Sequence, residues 1–367
     1  MRKTLLGVGA TAGCLLSLGA HAQGSVTLYG IVDVGIQYVD NAGGHAQTQE
    51  ASGMFNGNRF GLKGVEDLGG NWHALFQLEN GFNTNNGTFG QGTSASGTTQ
   101  AVTRMFGRQS WVGLQSPWAT ISLGRQYDFF YDNLAPIAAS NYVGSFMHRP
   151  GTANAIFGNN GSTTDFDRIG GVRVDNSAKL TSAPIGGFTL GAMYGFGGQA
   201  GAFSNGSTQS FGAKYANGGL LAGAVYTNYK ENNAASSYQT YGGGARYQFG
   251  PVRIAGLYTN ARWSATGDRV DTIEFGGQYR ITPSLAVAAG YFYSKPNNES
   301  TNVIMKGTRN QVGFMTDYSL SKTTDIYATV DYQRAKHGYA AQIYSLTPTD
   351  AKTNHQLMIG AGLQHFF

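Results

Sequence analysis

Side chains able to do bond chemistry are few and unorganised in this sequence. His45, His73, His148, His337, His355 and His365 remain once the leader carrying His21 is set aside, and their spacing matches no metal-ligand pattern. No G-x-S-x-G elbow is present, and the glycines between Gly7 and Gly13 fall in the leader, so they cradle no phosphate. The residues point to no catalytic centre, no cofactor and no metal. What is concentrated instead is charge and aromaticity, in one stretch from about Arg125 to Asp167. It carries Tyr127, Phe129, Phe130, Tyr131, Phe146 and Phe157 together with Asp128, Asp132, Asp165 and Asp167. Such groups act as fields and walls rather than reagents. An uncovered loop of this length inside a compact domain is usually functional or disordered, and this one is too aromatic for plain disorder. The expectation is that residues 126–167 fold back into a barrel and narrow it. The cluster Tyr127, Phe129, Phe130 and Tyr131 reads as an anchor against the inner wall, with a stacking surface for sugars as the other reading.

The elements that must position this stretch begin after a leader. Arg2 and Lys3 precede an apolar run, Leu5 to Leu18, and Ala20-His21-Ala22 forms a small-residue cleavage site. Residues 1–22 therefore read as a cleaved secretory signal and 23–367 as one domain. A rival cut at Cys14, as in a lipoprotein, is disfavoured by Thr11 three residues before it. Losing Arg2 and Lys3 lowers the formal charge from +5 to +3, and no run of basic residues suggests nucleic acid. The only cysteine is Cys14, so the mature chain depends on burial and backbone pairing.

Composition narrows the class. Glycine reaches 55, proline is only 8, and Tyr and Phe number 21 each. No apolar run after the leader approaches the ~20 residues of a spanning helix. The mean hydropathy of −0.25 does not argue for a soluble protein, because a transmembrane strand alternates and its polar half cancels its apolar half. In SVTLYGIVDVGIQYV, Val26, Leu28, Val32, Val34, Ile36 and Tyr38 share one face, and Thr27, Tyr29, Asp33 and Gln37 dominate the other. The same alternation in NRFGLKGVE and NWHALFQLEN turns Lys63, Gln77 and Glu79, with Asp33, to the polar face. Similar strands continue to the end of the chain, about sixteen in all. Alternate connections are short, as at Pro184–Gly187, Ala216–Gly219 and Gly250-Pro251, and the others are long and polar. Tyrosine and phenylalanine gather at strand ends. An all-β, sixteen-stranded antiparallel transmembrane β-barrel with an inward-folded constriction loop fits these observations.

On the stretches SVTLYGIVDVGIQYV, NRFGLKGVEDLGG, WHALFQLENGF, FGRQSWVGL, LGRQYDFFYDNL and the terminal Phe367, the chain resembles a Gram-negative general porin of the trimeric, sixteen-stranded type found in β-proteobacteria. The resemblance spans the whole mature chain. At its end Leu357, Ile359, Ala361, Leu363, His365 and Phe367 share a face, similar to an outer-membrane insertion signal, with His365 where the family often has another aromatic. The resemblance implies a water-filled channel for passive diffusion of ions and small hydrophilic solutes across the outer membrane. It also implies a homotrimer in contact with outer-membrane lipid and lipopolysaccharide.

In such porins the third extracellular loop faces a ladder of arginines on the barrel wall. Matched motif by motif, Arg59, Arg108 and Arg125 hold the ladder positions. Asp128 and Asp132, or Asp165 and Asp167, would then oppose them and create a transverse field, with the net preference set by rings of charge. The family's basic residue in the first strand is absent, and Asp33 follows Ile31 there, so the sign of selectivity stays open. A sugar- or anion-selective channel on the same barrel is the nearest alternative. An outer-membrane enzyme would have fewer strands and no constriction loop. An adhesin barrel would be narrower, whereas about sixteen strands imply an aqueous lumen.

Overall fold

A computed structural model of the chain describes residues 24–90, 104–139, 142, 173–232, 235–265, 267–297, 307–336, 341–343 and 351–367. The expected leader, 1–22, lies outside these residues, as do Phe146, Phe157, Asp165 and Asp167 of the expected loop. The described residues hold the strand segments β1 Ser25–Ala42, β2 His45–Ser52, β3 Arg59–Gly69, β4 Trp72–Gly81, β5 Gln109–Gln115 and β6 Ala119–Tyr127. After the loop come β7 Arg173–Ser182, β8 Phe188–Gly195, β9 Thr208–Asn217, β10 Leu220–Lys230, β11 Ser237–Phe249 and β12 Val252–Trp263. The series ends with β13 Arg269–Arg280, β14 Leu285–Asn297, β15 Thr308–Ser319, β16 Thr324–Lys336 and β17 His355–Phe366.

From β3 onward each segment pairs antiparallel with the next, and β17 pairs with β1, so the sheet closes and leaves no edge. The first strand runs to Ala42, three residues past Val39, where its alternation ends. The segments β2 and β3 are two halves of one barrel strand. The upper half of β1, Val34 to Ala42, pairs with β2, and its lower half, Ser25 to Ile31, pairs with β3. Residues 53–58 lie opposite only Val32 and Asp33, so the chain leaves the sheet there and returns. Counted this way, the barrel has the sixteen strands that the turn spacing implies. The half-strand HAQTQEAS has no apolar alternation to announce it, which is why 45–52 is not legible as a strand from the sequence.

The polar and apolar faces are inverted relative to a water-soluble sandwich. Ile36, Val112, Leu190, Phe211, Phe275 and Phe314 are exposed on the outside, Phe275 at 63%, while Gln37, Thr227, Thr240, Thr259, Gln311 and Gln333 are buried inside. An apolar outer band over a polar interior is what a strand facing lipid on one side and water on the other requires. The seam between the ends is tight, with the Gly30 amide donating to the Phe367 carbonyl at 2.9 Å.

The buried apolar residues do not form a conventional core. A large share belongs to the loop that follows β6, pressed against the inner wall: Phe129, Phe130, Leu134, Ile137 and Ala138 are all buried. Phe130–Leu134 makes one wide helical turn, closed by the Ala135 amide on the Phe130 carbonyl at 3.2 Å. Five residues are too few to show a helical period, so nothing in the sequence announces this turn.

Candidate functional site

The wall beneath the loop is built from glycines, and that is what lets the loop enter. On the inner faces of β8 and β9, a methyl group at Gly191 would collide with the Phe129 ring, and one at Gly212 would approach Phe129 Cβ to 2.8 Å. On β10 and β11, added methyls at Gly223 and Gly242 would come within 3.2–3.3 Å of Ile137 and Leu134 and 3.1 Å of Leu134. On β13, one at Gly276 would lie 2.7 Å from Ala139 Cβ. Large loop side chains thus fill the volume that small wall residues leave, as close packing demands. Further along, Ala139 and Tyr142 join Phe292, Met315 and Tyr327 of β14–β16 and Met54 of the 53–58 excursion in one apolar cluster. Loop and excursion are both inward elements, and they meet.

Where β6 delivers the chain into the loop, the ladder shifts between Gly124, at φ +137°, and Gln126, opposite a second irregularity at Asn176. The bulge re-aims Arg125. Its Nε donates to the Gly107 carbonyl at 2.7 Å and its Nη1 to Asp175 Oδ1 at 2.5 Å, beside Arg104, which bonds both Asp175 oxygens at 2.9 Å. Next in the chain, Tyr127 stacks on Tyr131 at 3.8 Å between centroids and 12° between planes. The Arg173 guanidinium lies 4.6 Å from the Tyr127 ring centre and donates to its hydroxyl at 2.5 Å, and Arg108 lies 5.9 Å from the same ring. Arg59 hydrogen-bonds the Tyr131 side chain, and its Nε also donates to the Gly57 carbonyl at 2.8 Å. A methyl on Gly57 would sit 3.6 Å from Arg108 Nη1 and 3.9 Å from Arg59 Nη2, so these two arginines flank one point of the excursion. Burial pushes the Tyr131 hydroxyl up, and the charges of Arg59 and Arg108 more than offset this, holding it below an ordinary tyrosine. The result is a compact array of guanidinium groups and phenol rings, a geometry in which planar cations gain attraction from ring faces.

The described loop carboxylates, Asp128 and Asp132, are engaged by the wall. Asp128 is fully buried and accepts from the Tyr229 hydroxyl on β10 at 2.6 Å. Asp132 pairs with Lys179 of β7, whose ammonium also donates to the Tyr127 carbonyl at 2.9 Å and lies 4.7 Å from the Phe129 ring centre. Both aspartates therefore moor the start of the loop, residues 128–132, to the wall beside it. Asp33 is buried as well, holding the excursion: it accepts from the Tyr327 hydroxyl at 2.6 Å and from the Phe55 and Asn56 amides at 3.1 and 2.7 Å. Asp165 and Asp167 are outside the described residues. Lys63 is exposed on the lumen face of β3, 5.2 Å from the Tyr29 ring centre.

Arg59, Arg108, Tyr127 and Tyr131 are thus brought together, with Arg125 tied to the neighbouring Asp175. Sequence reasoning missed Arg173 and Lys179 as members. Both were legible from the alternation of VRVDNSAKLTS, in which Arg173, Asp175, Ser177 and Lys179 fall on one face. Glu79 was placed on the lumen face, yet its role is a pairing one: Arg108 Nε donates to it at 2.6 Å and the Tyr29 hydroxyl at 2.8 Å. Below the loop, Phe129, Tyr131, Asp132, Thr181, Thr189 and Lys214 line a recess of about 400 Å³, within the usual size for a small-molecule cleft. None of these groups is arranged as a nucleophile with a base.

The Gram-negative porin family profile matches residues 9–338. The chain is 37% identical over 214 residues to an outer membrane porin protein of Bordetella pertussis, covering 53% of this chain and 48% of that one, so the match spans about half of that relative's length. In fold it is similar to an anion-selective porin from Comamonas acidovorans, with a TM-score of 0.77, 22% identity, and coverage of 94% of this chain and 100% of that one. It is also similar to the trimer form of OmpT, an outer membrane protein of Vibrio cholerae, with a TM-score of 0.65, 15% identity, and coverage of 94% and 99%.

Proposed function

The chain belongs to the Gram-negative porin family, and on that premise we propose that it forms a water-filled channel in the outer membrane for passive diffusion of ions and small hydrophilic solutes, with a preference for anions. The observation that carries the preference is the disposition of carboxylates around the constriction. Asp33, Asp128, Asp132 and Glu79 are each engaged by a hydroxyl, an ammonium or a guanidinium. Among the described residues no carboxylate forms an ion pair with Arg59 or Arg173, whose neighbours are Tyr131 and Tyr127. Charge rings set ion preference in such a passage, and here the members outside ion pairs are positive. The relative from Comamonas acidovorans carries anion selectivity in its name; in this chain the preference rests on its own residues.

Three copies assemble side by side, in line with the trimer form of the Vibrio cholerae protein, and the apolar outer band faces lipid and lipopolysaccharide. Planar-bilayer recording of the purified protein in a potassium chloride gradient tests the reading. Stepwise conductance, often in threes, is expected, with a reversal potential toward chloride. A reversal toward potassium would overturn the anion preference, and correctly folded barrels without conductance would overturn the channel.

A further inference from the structure

Three arginines on the far wall stand outside the Arg59–Arg173 array. Arg246 on β11, Arg253 on β12 and Arg280 on β13 share the inner face, and the register fixes how they are spaced. Arg253 pairs across with Gln248 on one side and Gln278 on the other. Arg246 is two residues before Gln248, and Arg280 two residues after Gln278, so each is a diagonal neighbour of Arg253, at about 7–8 Å between backbones. Both β11 and β13 run toward the short turns, so Arg246, Arg253 and Arg280 descend in that order toward the short-turn mouth. The Arg280 amide bonds the Pro251 carbonyl at 2.9 Å, at the level of the turn itself.

The side chains are held for use. Arg253 Nε donates to Gln248 Oε1 at 3.1 Å, and its guanidinium lies 5.6 Å from the ring centre of Tyr142, the loop residue that marks the top of the stair. Arg246 Nε is buried and without a hydrogen-bond partner. Among the described residues none of the three arginines is in an ion pair. Of the carboxylates on this side, Glu274 acts on Tyr142, and Asp317 of β15 feels Arg280, with which it is level across Ala286. Guanidinium groups outside any ion pair and at diagonal spacing repel one another without a shared counter-ion, and the planar fork of arginine matches the paired oxygens of carboxylate and phosphate.

We propose that Arg246, Arg253 and Arg280 form a binding stair for small doubly charged oxyanions, phosphate or dicarboxylate, between the constriction and the short-turn mouth. This rests on the channel reading above and adds a second station, on a different wall from the Arg59–Arg173 array. Each step offers a partner to an anion before the previous one lets go, which meets the need of a conducting path for sites that bind and still release.

The test is single-channel chloride current at pH 8 with inorganic phosphate or succinate added to one side. Wild-type channels are expected to show concentration-dependent interruption of the current. R246Q/R253Q should need about tenfold more dianion for the same effect, since two charge-assisted forks are lost. R253K, which keeps the charge and the wall, should fall between the two. In R59Q the chloride preference should drop while the interruption persists. Interruption by phosphate alone, or by succinate alone, assigns the stair to that anion. Open channels that neither dianion interrupts, or equal interruption in wild type and R246Q/R253Q, would overturn the stair and leave the channel standing. Folded protein without any channels would sink the channel reading itself.

Discussion

Arg173 keeps an unpaired charge in a crowded site because it lies against the Tyr127 ring rather than a carboxylate, and Arg59, which also feels Glu79, hydrogen-bonds the Tyr131 side chain. Stacking a guanidinium on a ring costs little hydration, and the pair is worth about 0.5–2 kcal/mol depending on desolvation. Removing one of these charges should therefore change selectivity more than stability. R173Q is expected to move the reversal potential in a chloride gradient toward zero, and R173K to restore only part of the shift, since an ammonium cannot keep both the Tyr127 stack and the hydroxyl bond. The opposite sign is expected for D132N. It removes a carboxylate and leaves Lys179 charged beside the passage, so the same measurement should show a stronger chloride preference. An unchanged or lowered chloride preference in D132N would mean that the Asp132 charge does not act on the passage as stated.

The loop and the 53–58 excursion are held by complementarity of size. Loop side chains occupy wall positions where glycine leaves room, and Met54 sits over Gly35 and Gly360, where an added methyl at Gly35 would lie 2.8 Å from its Cε. G212L cannot coexist with Phe129 in its seat. Overpacking of this kind costs about 1–3 kcal/mol, and the cheaper response is for the loop to lift, so G212L is expected to raise single-channel conductance. An unchanged conductance would show that the aperture is set elsewhere. M54A should open a cavity between excursion and wall at a cost of about 2–5 kcal/mol, read as a lower unfolding temperature in detergent. The strand pattern that surrounds these elements was plain in the sequence, because one face meets lipid and the other water. The seat of the loop was not, because a glycine carries no label saying which side chain, tens of residues away, will cover it.

At the scale of the whole molecule the closed sheet satisfies every barrel strand with a neighbour, and the outer face is left for lipid. A charge on that face is a test of the assignment that owes nothing to the channel. F275R, midway along β13 on the exposed face, should cost about 2–4 kcal/mol in lipid if it lies near the bilayer midplane. The measurement is refolding into vesicles at graded denaturant, and an undisturbed midpoint would place Phe275 away from the hydrocarbon.

The amino-acid sequence by itself determined the barrel, its strand number and the existence of an inward loop, since alternation and turn length are local and each strand repeats the message. It also brought Arg59 and Arg108 into consideration through their motifs. Only the tertiary structure decided what those arginines face. The bulge at Gly124 turns Arg125 to Asp175, and the glycine trough draws Asp128 and Asp132 onto the wall, to Tyr229 and Lys179. Charge pairing across a lumen depends on residues far apart in sequence meeting at one depth, and that depth is set by the register of a closed sheet, which no single strand contains.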